Sequence, residues 1–346
     1  MGRRPFCHHG CGGASQALRH LLRESHHARP EDLPDLVMRV APLVDVRAAV
    51  IYLVDHRQRW LVPVPGRLTP SRPPVPITGT MAGRSFSVLT SHEVAGSEGR
   101  SLWLPLLDGT ERLGVLELVG DGPFDGAHRD GLAVFATLLA ELLVSRDQYG
   151  DALELIRRRA PMRLPAELLR AQLPPLTFAT ERLVISGLLE PCYDVGGDAF
   201  DYAVNGDLAH RALFDAVGHG TQGGLRAAVL AAIALAAYRN ARRLGLSLVG
   251  TYHHIDDAVR SHDRTGMTTA ILAELTDGLP APETTRRLMH AILDHQNDVL
   301  SDDATVLMAR WRGLTRRHAG GHRRRPAHAP GTGQRRRTGD GGRRRP

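Results

Sequence analysis

Residues 33–119 alternate between apolar residues at helical spacing and short runs of β-branched residues. The first helical pattern begins at Leu33. The run Ala48–Val54 that follows predicts a strand, because it is short, β-branched and ends at a polar turn. The same criteria predict, in order, a strand at Trp60–Val64, a Pro-rich loop at Pro65–Pro76, a helix at Arg84–Leu89, and strands at Ser101–Leu106 and Leu113–Val119. The predicted order is helix, hairpin, helix, hairpin.

A longer helical pattern runs from Arg129 to Ile156 and ends before Pro161, since proline interrupts a helix. Its apolar residues share one helical face: Leu132, Phe135, Leu138, Leu139, Leu142 and Leu143. Such a helix either covers the sheet of its own chain or pairs with a second copy. A homodimer formed through this region is therefore one hypothesis.

After Pro174 the pattern changes to strands around an alanine-rich helix. The predicted elements are strands at Leu183–Leu188, Ala212–Phe214, Thr268–Leu275 and Ala304–Trp311, with helices at Gly224–Arg243 and Pro282–Asp294. The small residues of the first of these helices permit close packing on a sheet. Together the two halves predict an α+β chain.

Charge is concentrated at the C-terminal end of the chain. The net charge is +7 over 346 residues, and residues 312–346 hold twelve arginines and one aspartate, a local +11 that leaves 7 − 11 = −4 for the rest. This segment is rich in Gly, Pro and Arg without apolar periodicity, which predicts disorder. Non-specific binding of the tail to nucleic acid or acidic surfaces is the alternative, but no specific nucleic-acid partner is expected.

Cysteine usage and hydropathy bear on the compartment. Cys7, Cys11 and Cys192 are too few and too scattered for a disulfide framework, which favours a reducing interior and hence the cytoplasm. No apolar run follows the charged N-terminus, so no secretory signal is expected. The apolar stretch Ala227–Tyr238 is shorter than the ~20 residues of a membrane span. The Cys7–Cys11 cluster lacks a second ligand pair at zinc-finger spacing.

Three aspartate-containing segments carry the candidate chemistry: DVGGDAFD at 194–201, DAVGHG at 215–220 and DDATV at 302–306. Carboxylates on tight turns after buried strands are suitable ligands for Mg²⁺ and Mn²⁺, which prefer oxygen. Asp and Gly are also ordinary turn formers. All three segments, however, are expected at the ends of strands, and this favours a two-metal site that activates water and holds a phosphate.

These segments resemble the bacterial SpoIIE-type branch of the type 2C metal-dependent protein phosphatases, from about Leu173 to Trp311. The matching stretches are LEPCYDVGGDAFDYAV, FDAVGHG with the alanine-rich helix and YRNARR, MTTAILAEL, RRLMHAILDHQ and LSDDATVLMARW. The resemblance implies an α/β sandwich that hydrolyses phosphoserine or phosphothreonine on a protein, such as an anti-sigma factor antagonist. It also implies two Mn²⁺ or Mg²⁺ ions, whose ligands would be Asp198, Asp215, the carbonyl of Ala216, and Asp302, with Asp303 beside it.

Other residues in these segments are expected to have structural roles. His219 could act as an acid for the leaving hydroxyl, but its offset from Asp215 favours a structural role. Asp194 and Asp201 flank the first motif and are expected to form turns or hydrogen bonds.

One departure from the family concerns residues 275–280. The family has several strands and a Tyr-Thr-Asp-Gly type metal motif between the strand ending at Leu275 and the last helix, whereas here Thr276-Asp277-Gly278 follows almost directly. Asp277 is then either part of an ordinary turn or a surviving metal ligand. The truncation makes a catalytically inactive regulator, acting through protein binding, the alternative function.

Residues 33–143 resemble GAF domains, which bind small ligands or act as packing and dimerisation modules. The stretches that carry this resemblance are RAAVIYLVDHRQRWLVPVPG, PITGTMAGRSF and LWLPLLDGTERLGVLEL. The predicted organisation is a disordered N-terminus at 1–30, a GAF-like sensor domain at 31–145, a linker helix at 146–172, a truncated phosphatase domain at 173–312 and a disordered tail at 313–346.

Overall fold

The structure is a computed structural model that describes residues 10–96, 99–181, 183–190, 192–194, 196–206, 208–218, 220–275 and 304–311. Asp277, Asp302, Asp303, His219 and the helix predicted at 282–294 lie outside the described residues, as does the tail. None of the helices in the described ranges combines the length and apolar character needed to cross a membrane.

The N-terminal domain is built on a six-stranded antiparallel sheet in the order β3-β2-β1-β6-β5-β4. Its strands are β1 (Ala48–Val54), β2 (Trp60–Pro63), β3 (Val75–Pro76), β4 (His92–Gly96), β5 (Gly99–Asp108) and β6 (Glu111–Gly120). Its helices are α1 (Gly10–Ser25), α2 (Leu33–Val40), α3 (Met81–Val88) and α4 (Gly126–Asp147). The order of helices and hairpins predicted from the sequence is present, with α1, β3 and β4 added.

Both faces of this sheet are covered, and this explains the unbroken apolar run of β1. Ile51 packs in one core cluster with residues of α1, α2 and α4, while Tyr52 on the opposite face packs with Phe86 of α3. All seven residues of β1 are buried. A strand buried on both sides loses the polar alternation of a half-exposed one.

The prediction of a disordered N-terminus at residues 1–30 is wrong for the part that the structure describes. Residues 10–25 form α1, in which Ala17 and Leu21 are 0% exposed and pack in the core cluster that includes α4. The segment is rich in His, Arg and Gly, and its few apolar residues are enough for one buried helical stripe.

The single linker helix predicted for 146–172 is also wrong. Helix α4 ends at Asp147, and two short helices follow, α5 (Ala152–Arg157) and α6 (Leu164–Arg170). Gly150 and Pro161 lie in the two breaks. Proline is tolerated at the first turn of a helix, and Pro165 occupies that position in α6.

The C-terminal domain contains two three-stranded antiparallel sheets, β11-β10-β9 and β12-β8-β7. Their strands are β7 (Thr177–Ala179), β8 (Leu183–Glu190), β9 (Asp198–Asn205), β10 (Leu208–Ala216), β11 (Thr268–Leu275) and β12 (Ala304–Trp311). Helices α7 (Gly220–Arg243) and α8 (Leu248–His262) lie between β10 and β11 in sequence. The chain is therefore a mixed α and β protein, and the specific type 2C sandwich stays a prediction.

Side chains on the two faces of the β9–β10 pair show how the sheets and α7 are arranged. Phe200 packs on β8, since a Cβ atom added at Gly187 would lie 2.5 Å from its ring. On the opposite face, Phe214 of β10 contacts the Tyr238 ring of α7 with centroids 5.9 Å apart. The β9–β10 pair thus has α7 on one side and the second sheet on the other.

Candidate functional site

Asp198 and Asp215 are directly opposite each other on neighbouring antiparallel strands, β9 and β10. Side chains at opposed positions have Cβ atoms about 4.5–5.5 Å apart and point to the same face. Phe214 contacts α7, so Asp215, one position along, lies on the face that Phe200 presents to β8. The two carboxylates predicted as metal ligands therefore lie together on the face turned toward the second sheet.

The exposure of the two carboxylates differs. Asp198 is 7% exposed, whereas Asp215 is exposed. Two negative charges placed directly opposite each other are unfavourable, and a divalent cation that takes oxygen ligands relieves that repulsion. The two carboxylates are suitable ligands for such a cation. Asp198 would bind it from the buried side and Asp215 from the exposed side.

Gly197 allows the start of β9 to lie against the end of β10. A Cβ atom at this position would lie 2.0 Å from the Ala216 carbonyl oxygen and 3.0 Å from Cβ of Ala227 in α7. The Gly197 carbonyl accepts a hydrogen bond of 3.1 Å from the Ala216 amide. A side chain here would push the two strands apart and change the spacing of the carboxylates.

The β8–β9 loop connects the strand ends of the two sheets. The β8–β9 loop, whose described residues are Cys192–Asp194 and Gly196–Gly197, joins the end of β8 to the start of β9. Ala304, the first residue of β12, is paired with Glu190, the last of β8. Asp302 and Asp303 immediately precede Ala304 in sequence and lie outside the described residues. Within the described ranges, no group of three or more His, Cys, Asp or Glu residues could hold a metal ion.

Asp201 forms hydrogen bonds, as expected from the sequence, and Asp194 forms an ion pair that the sequence analysis did not predict. Asp201 accepts hydrogen bonds from Arg239 at 2.7 Å and Arg242 at 2.9 Å, both in α7. Asp194 is 3.3 Å from Arg163 in an exposed ion pair. Asp201 thus faces α7, on the opposite side of β9 from Asp198.

Glu190 is a buried carboxylate near the site that the sequence analysis did not single out. It is 4% exposed and accepts a hydrogen bond of 3.0 Å from the Cys192 amide. Burial raises its pKa, while Arg57, Arg59 and Arg170 oppose that rise. Burial and the charge of Glu190 raise the pKa of the Cys192 thiol to about 12. The sequence carried one signal for this residue, because Glu190 ends an apolar strand shortly before the first aspartate motif.

A second candidate site is a cavity of about 670 Å³ in the N-terminal domain. It is lined by Met38, Arg47, Ala48, Pro70, Arg72, Gly99, Val119 and Asp121. Arg72 also forms an ion pair of 3.3 Å with Glu117, a 6% exposed carboxylate that accepts a hydrogen bond of 3.1 Å from Ser101. A cavity of this size with a few fixed polar groups suits a small molecule.

No family model matches the chain, and no curated protein matches it. Among solved structures, it is similar to the GAF domain of an Acinetobacter phosphoenolpyruvate-protein phosphotransferase at 16% identity, covering 40% of this chain and 97% of that one, with a TM-score of 0.35. The GAF domain of the Coxiella burnetii phosphoenolpyruvate-protein phosphotransferase is 14% identical, with 40% and 96% coverage and a TM-score of 0.35. A putative GAF sensor protein from Burkholderia vietnamiensis is 14% identical, with 40% and 98% coverage and a TM-score of 0.33.

At these identities and TM-scores, the GAF assignment of residues 31–145 stays a prediction. The phosphatase assignment of residues 173–312 stays a prediction.

Proposed function

We propose that this chain is a divalent-cation-dependent phosphatase that hydrolyses phosphoserine or phosphothreonine on a protein, under the control of its N-terminal domain. The observation that carries the proposal is the opposed pair Asp198 and Asp215. The β8–β9 loop leads from the end of β8 to Asp198, and β12, whose first residue pairs with that end of β8, follows Asp302 and Asp303 directly in sequence.

The proposed cofactor is Mn²⁺ or Mg²⁺, held by Asp198, Asp215, Asp302, the carbonyl of Ala216 and, as a further candidate, Asp277. Bound cations would supply activation of water and neutralisation of phosphate charge. The β9–β10 register brings the backbone positions of the first two ligands opposite each other. The exposure of Asp215 leaves one side of the site accessible to a phosphorylated segment of another protein.

The substrate class follows from that open side and from the resemblance of the sequence to SpoIIE-type phosphatases. We propose a phosphorylated signalling protein of the anti-sigma factor antagonist type. The N-terminal domain would act as the sensor, with the cavity over Ala48 and Val119 as its ligand site.

The test is manganese-dependent hydrolysis of a phosphoserine peptide by the full chain. Asp215→Asn keeps the size of the side chain and removes its charge, so metal-dependent turnover should be lost. Asp256→Asn, an aspartate on α8 paired with Arg260, is the matched control and should leave turnover unchanged. Turnover that persists in Asp215→Asn, or none in a folded wild-type chain, would contradict the proposal.

The second candidate function is a non-catalytic regulator that binds the phosphorylated protein without hydrolysing it. It is favoured by the departure at residues 275–280, where Thr276-Asp277-Gly278 follows β11 in place of the strands expected from the resemblance. The strand β11 also presents Ile271 at 66% exposure. Manganese-independent binding of the phosphopeptide without turnover would support this function over the enzyme.

A further inference from the structure

The turn between β1 and β2, Asp55–Gln58, brings the N-terminal domain into contact with the β8–β9 loop. The contact centres on Tyr193. The Arg57 guanidinium carbon lies 5.4 Å from the centroid of its ring, and the His56 ring lies edge-on at 6.1 Å and 71°. Two consecutive residues of the N-terminal domain thus contact one tyrosine of the C-terminal domain.

The turn has a fixed shape of its own. Oδ1 of Asp55 accepts hydrogen bonds from the amides of Arg59 at 2.7 Å and Trp60 at 2.8 Å. Gln58 adopts the left-handed conformation with φ of 51°. An aspartate that binds the backbone beyond it closes a turn tightly, so the positions of His56 and Arg57 are set by the N-terminal domain.

His56 is also held from the side of the connecting helices. Its Nε2 lies 2.9 Å from Glu154 of α5, and its Nδ1 lies 2.6 Å from Arg170 of α6. An arginine only donates, so Nδ1 accepts and Nε2 carries the hydrogen that binds Glu154. The ring is 4% exposed and therefore cannot turn away without breaking both bonds.

Tyr193 is fixed at its other groups by the segment between α5 and α6. Its hydroxyl accepts a hydrogen bond of 2.8 Å from the Arg159 amide, and its carbonyl accepts one of 2.9 Å from the Arg163 amide. In sequence, the loop then passes through Gly196 and Gly197 directly to Asp198. Ordering a glycine-containing loop costs conformational entropy, and Tyr193 is an anchor that reduces the freedom left at Asp198.

We propose that the β1–β2 turn is a positioning element for Asp198, acting through Tyr193, so that the N-terminal domain controls cation affinity by direct contact with the β8–β9 loop. This rests on the proposed function for the role of Asp198 as a ligand. His56 and Arg57 are positioning residues in this arrangement, because they act through Tyr193. A change in the N-terminal domain that moves the turn would loosen one ligand of the site.

The test compares Arg57→Ala with the wild-type full chain. Arg57 is exposed, so its truncation should leave the core intact. A cation–aromatic contact contributes about 0.5–1 kcal/mol at an exposed site, which corresponds to a loss of about 2–5-fold in Mn²⁺ affinity. We expect faster amide hydrogen exchange in residues 192–198, a rise of that size in the manganese concentration for half-maximal hydrolysis, and unchanged kcat at saturating manganese.

Two further variants separate positioning from general damage. Arg57→Lys keeps the cation and should restore part of the lost affinity. Arg84→Ala removes another exposed arginine of the same domain, on α3, and should change neither exchange nor affinity. An effect of Arg84→Ala equal to that of Arg57→Ala would overturn the proposal.

Direct Mn²⁺ binding, followed by electron paramagnetic resonance, keeps the two proposals distinguishable. If the wild-type chain binds manganese without turnover, this result contradicts the proposed function. Manganese affinity alone then tests the positioning element. If wild type binds no manganese, the proposed function fails and loop exchange alone decides. Unchanged exchange in Arg57→Ala, or faster exchange without weaker manganese binding in a chain that binds it, would overturn the positioning element.

Discussion

The buried ion pair between β9 and α7 gives the sharpest stability prediction, through Asp201→Asn. The Asp201 side chain is 2% exposed and binds Arg239 at 2.7 Å and Arg242 at 2.9 Å. Asparagine has the same size but no charge, so both guanidinium groups would lose their counter-ion while the helix keeps them in place. Removing one partner of a buried pair costs about 3–5 kcal/mol, because the remaining charge is left uncompensated.

Two contacts reduce that cost here. Arg239 also donates to the Gln172 carbonyl at 2.6 Å, and the Arg242 guanidinium lies 4.9 Å from the centre of the Tyr238 ring. Arg239 is in addition 26% exposed, so water replaces part of its lost partner. We therefore expect the free energy of unfolding to fall by about 2–3 kcal/mol, below the range for a fully enclosed pair.

Urea unfolding followed by tryptophan fluorescence measures this change. The chain has three tryptophans, Trp60, Trp103 and Trp311. Replacing the first two by phenylalanine leaves Trp311 of β12 as the reporter for the C-terminal domain. At a denaturant slope of about 2 kcal/mol per M, the midpoint should fall by about 1 M or more.

The matched control is Asp256→Asn in the same background. Asp256 pairs with Arg260 at 2.8 Å on α8, but the two side chains are 37% and 66% exposed. An exposed pair contributes about 0.2–1 kcal/mol, so its midpoint should move little. A midpoint shift for Asp201→Asn no larger than that of the control would refute the reasoning that burial of Asp201 makes its pair with α7 stabilising.

Three further predictions concern packing and pH. Gly197→Ala should cost about 1–3 kcal/mol in the same urea assay and weaken manganese binding, because its Cβ would lie 2.0 Å from the Ala216 oxygen. Leu21→Ala should lower the free energy of unfolding by about 2–5 kcal/mol if α1 is part of the core, and a melting temperature like that of wild type would contradict this. Burial raises the pKa of Glu111 to about 7, from an ordinary value of 4.5, against the opposing hydrogen bond from the Thr177 amide. As pH rises, Glu111 therefore loses its proton in the unfolded chain before it does so in the folded chain. The free energy of unfolding falls as pH rises from 4.5 to about 7. Glu111→Gln should gain stability over wild type at pH 8 but not at pH 4, measured by urea unfolding.

Continuous apolar runs allowed several strands to be predicted closely. The bounds of β1, β11 and β12 match the structure, because both faces of β1 are buried, β11 ends before the polar Thr276, and β12 lies between the charged residues Asp303 and Arg312. Strand β9 was missed because it begins inside the motif that supplies Asp198, where glycines and carboxylates indicate a turn. Helix α8 was missed because only Thr251, Ile255 and Val259 of its residues are buried, a stripe too narrow to stand out.

The residue types of the proposed site come from the sequence, but the pairing of Asp198 with Asp215 could not be predicted from it. The sequence placed Asp198 and Asp215 at strand ends, whereas their direct opposition depends on the register of β9 on β10. The contact of His56 with Tyr193 joins residues far apart in the chain. The local sequence around either residue does not predict this contact, because a histidine in a turn and a tyrosine beside a carboxylate motif are both common.

The two aspartates of the GGDAFD motif have different partners, because they are three residues apart on a strand. Side chains alternate between faces with a period of two, so Asp198 and Asp201 must point to opposite sides of β9. Asp201 binds α7, the helix whose Ala227 also contacts the Gly197 position, while Asp198 faces Asp215. Helix α7 is therefore bound by Asp201 at one end of the motif and packs on Gly197 at the other. If this arrangement sets the ligand spacing, Asp201→Asn should weaken manganese binding at urea concentrations where the chain is still folded, although Asp201 is not a ligand.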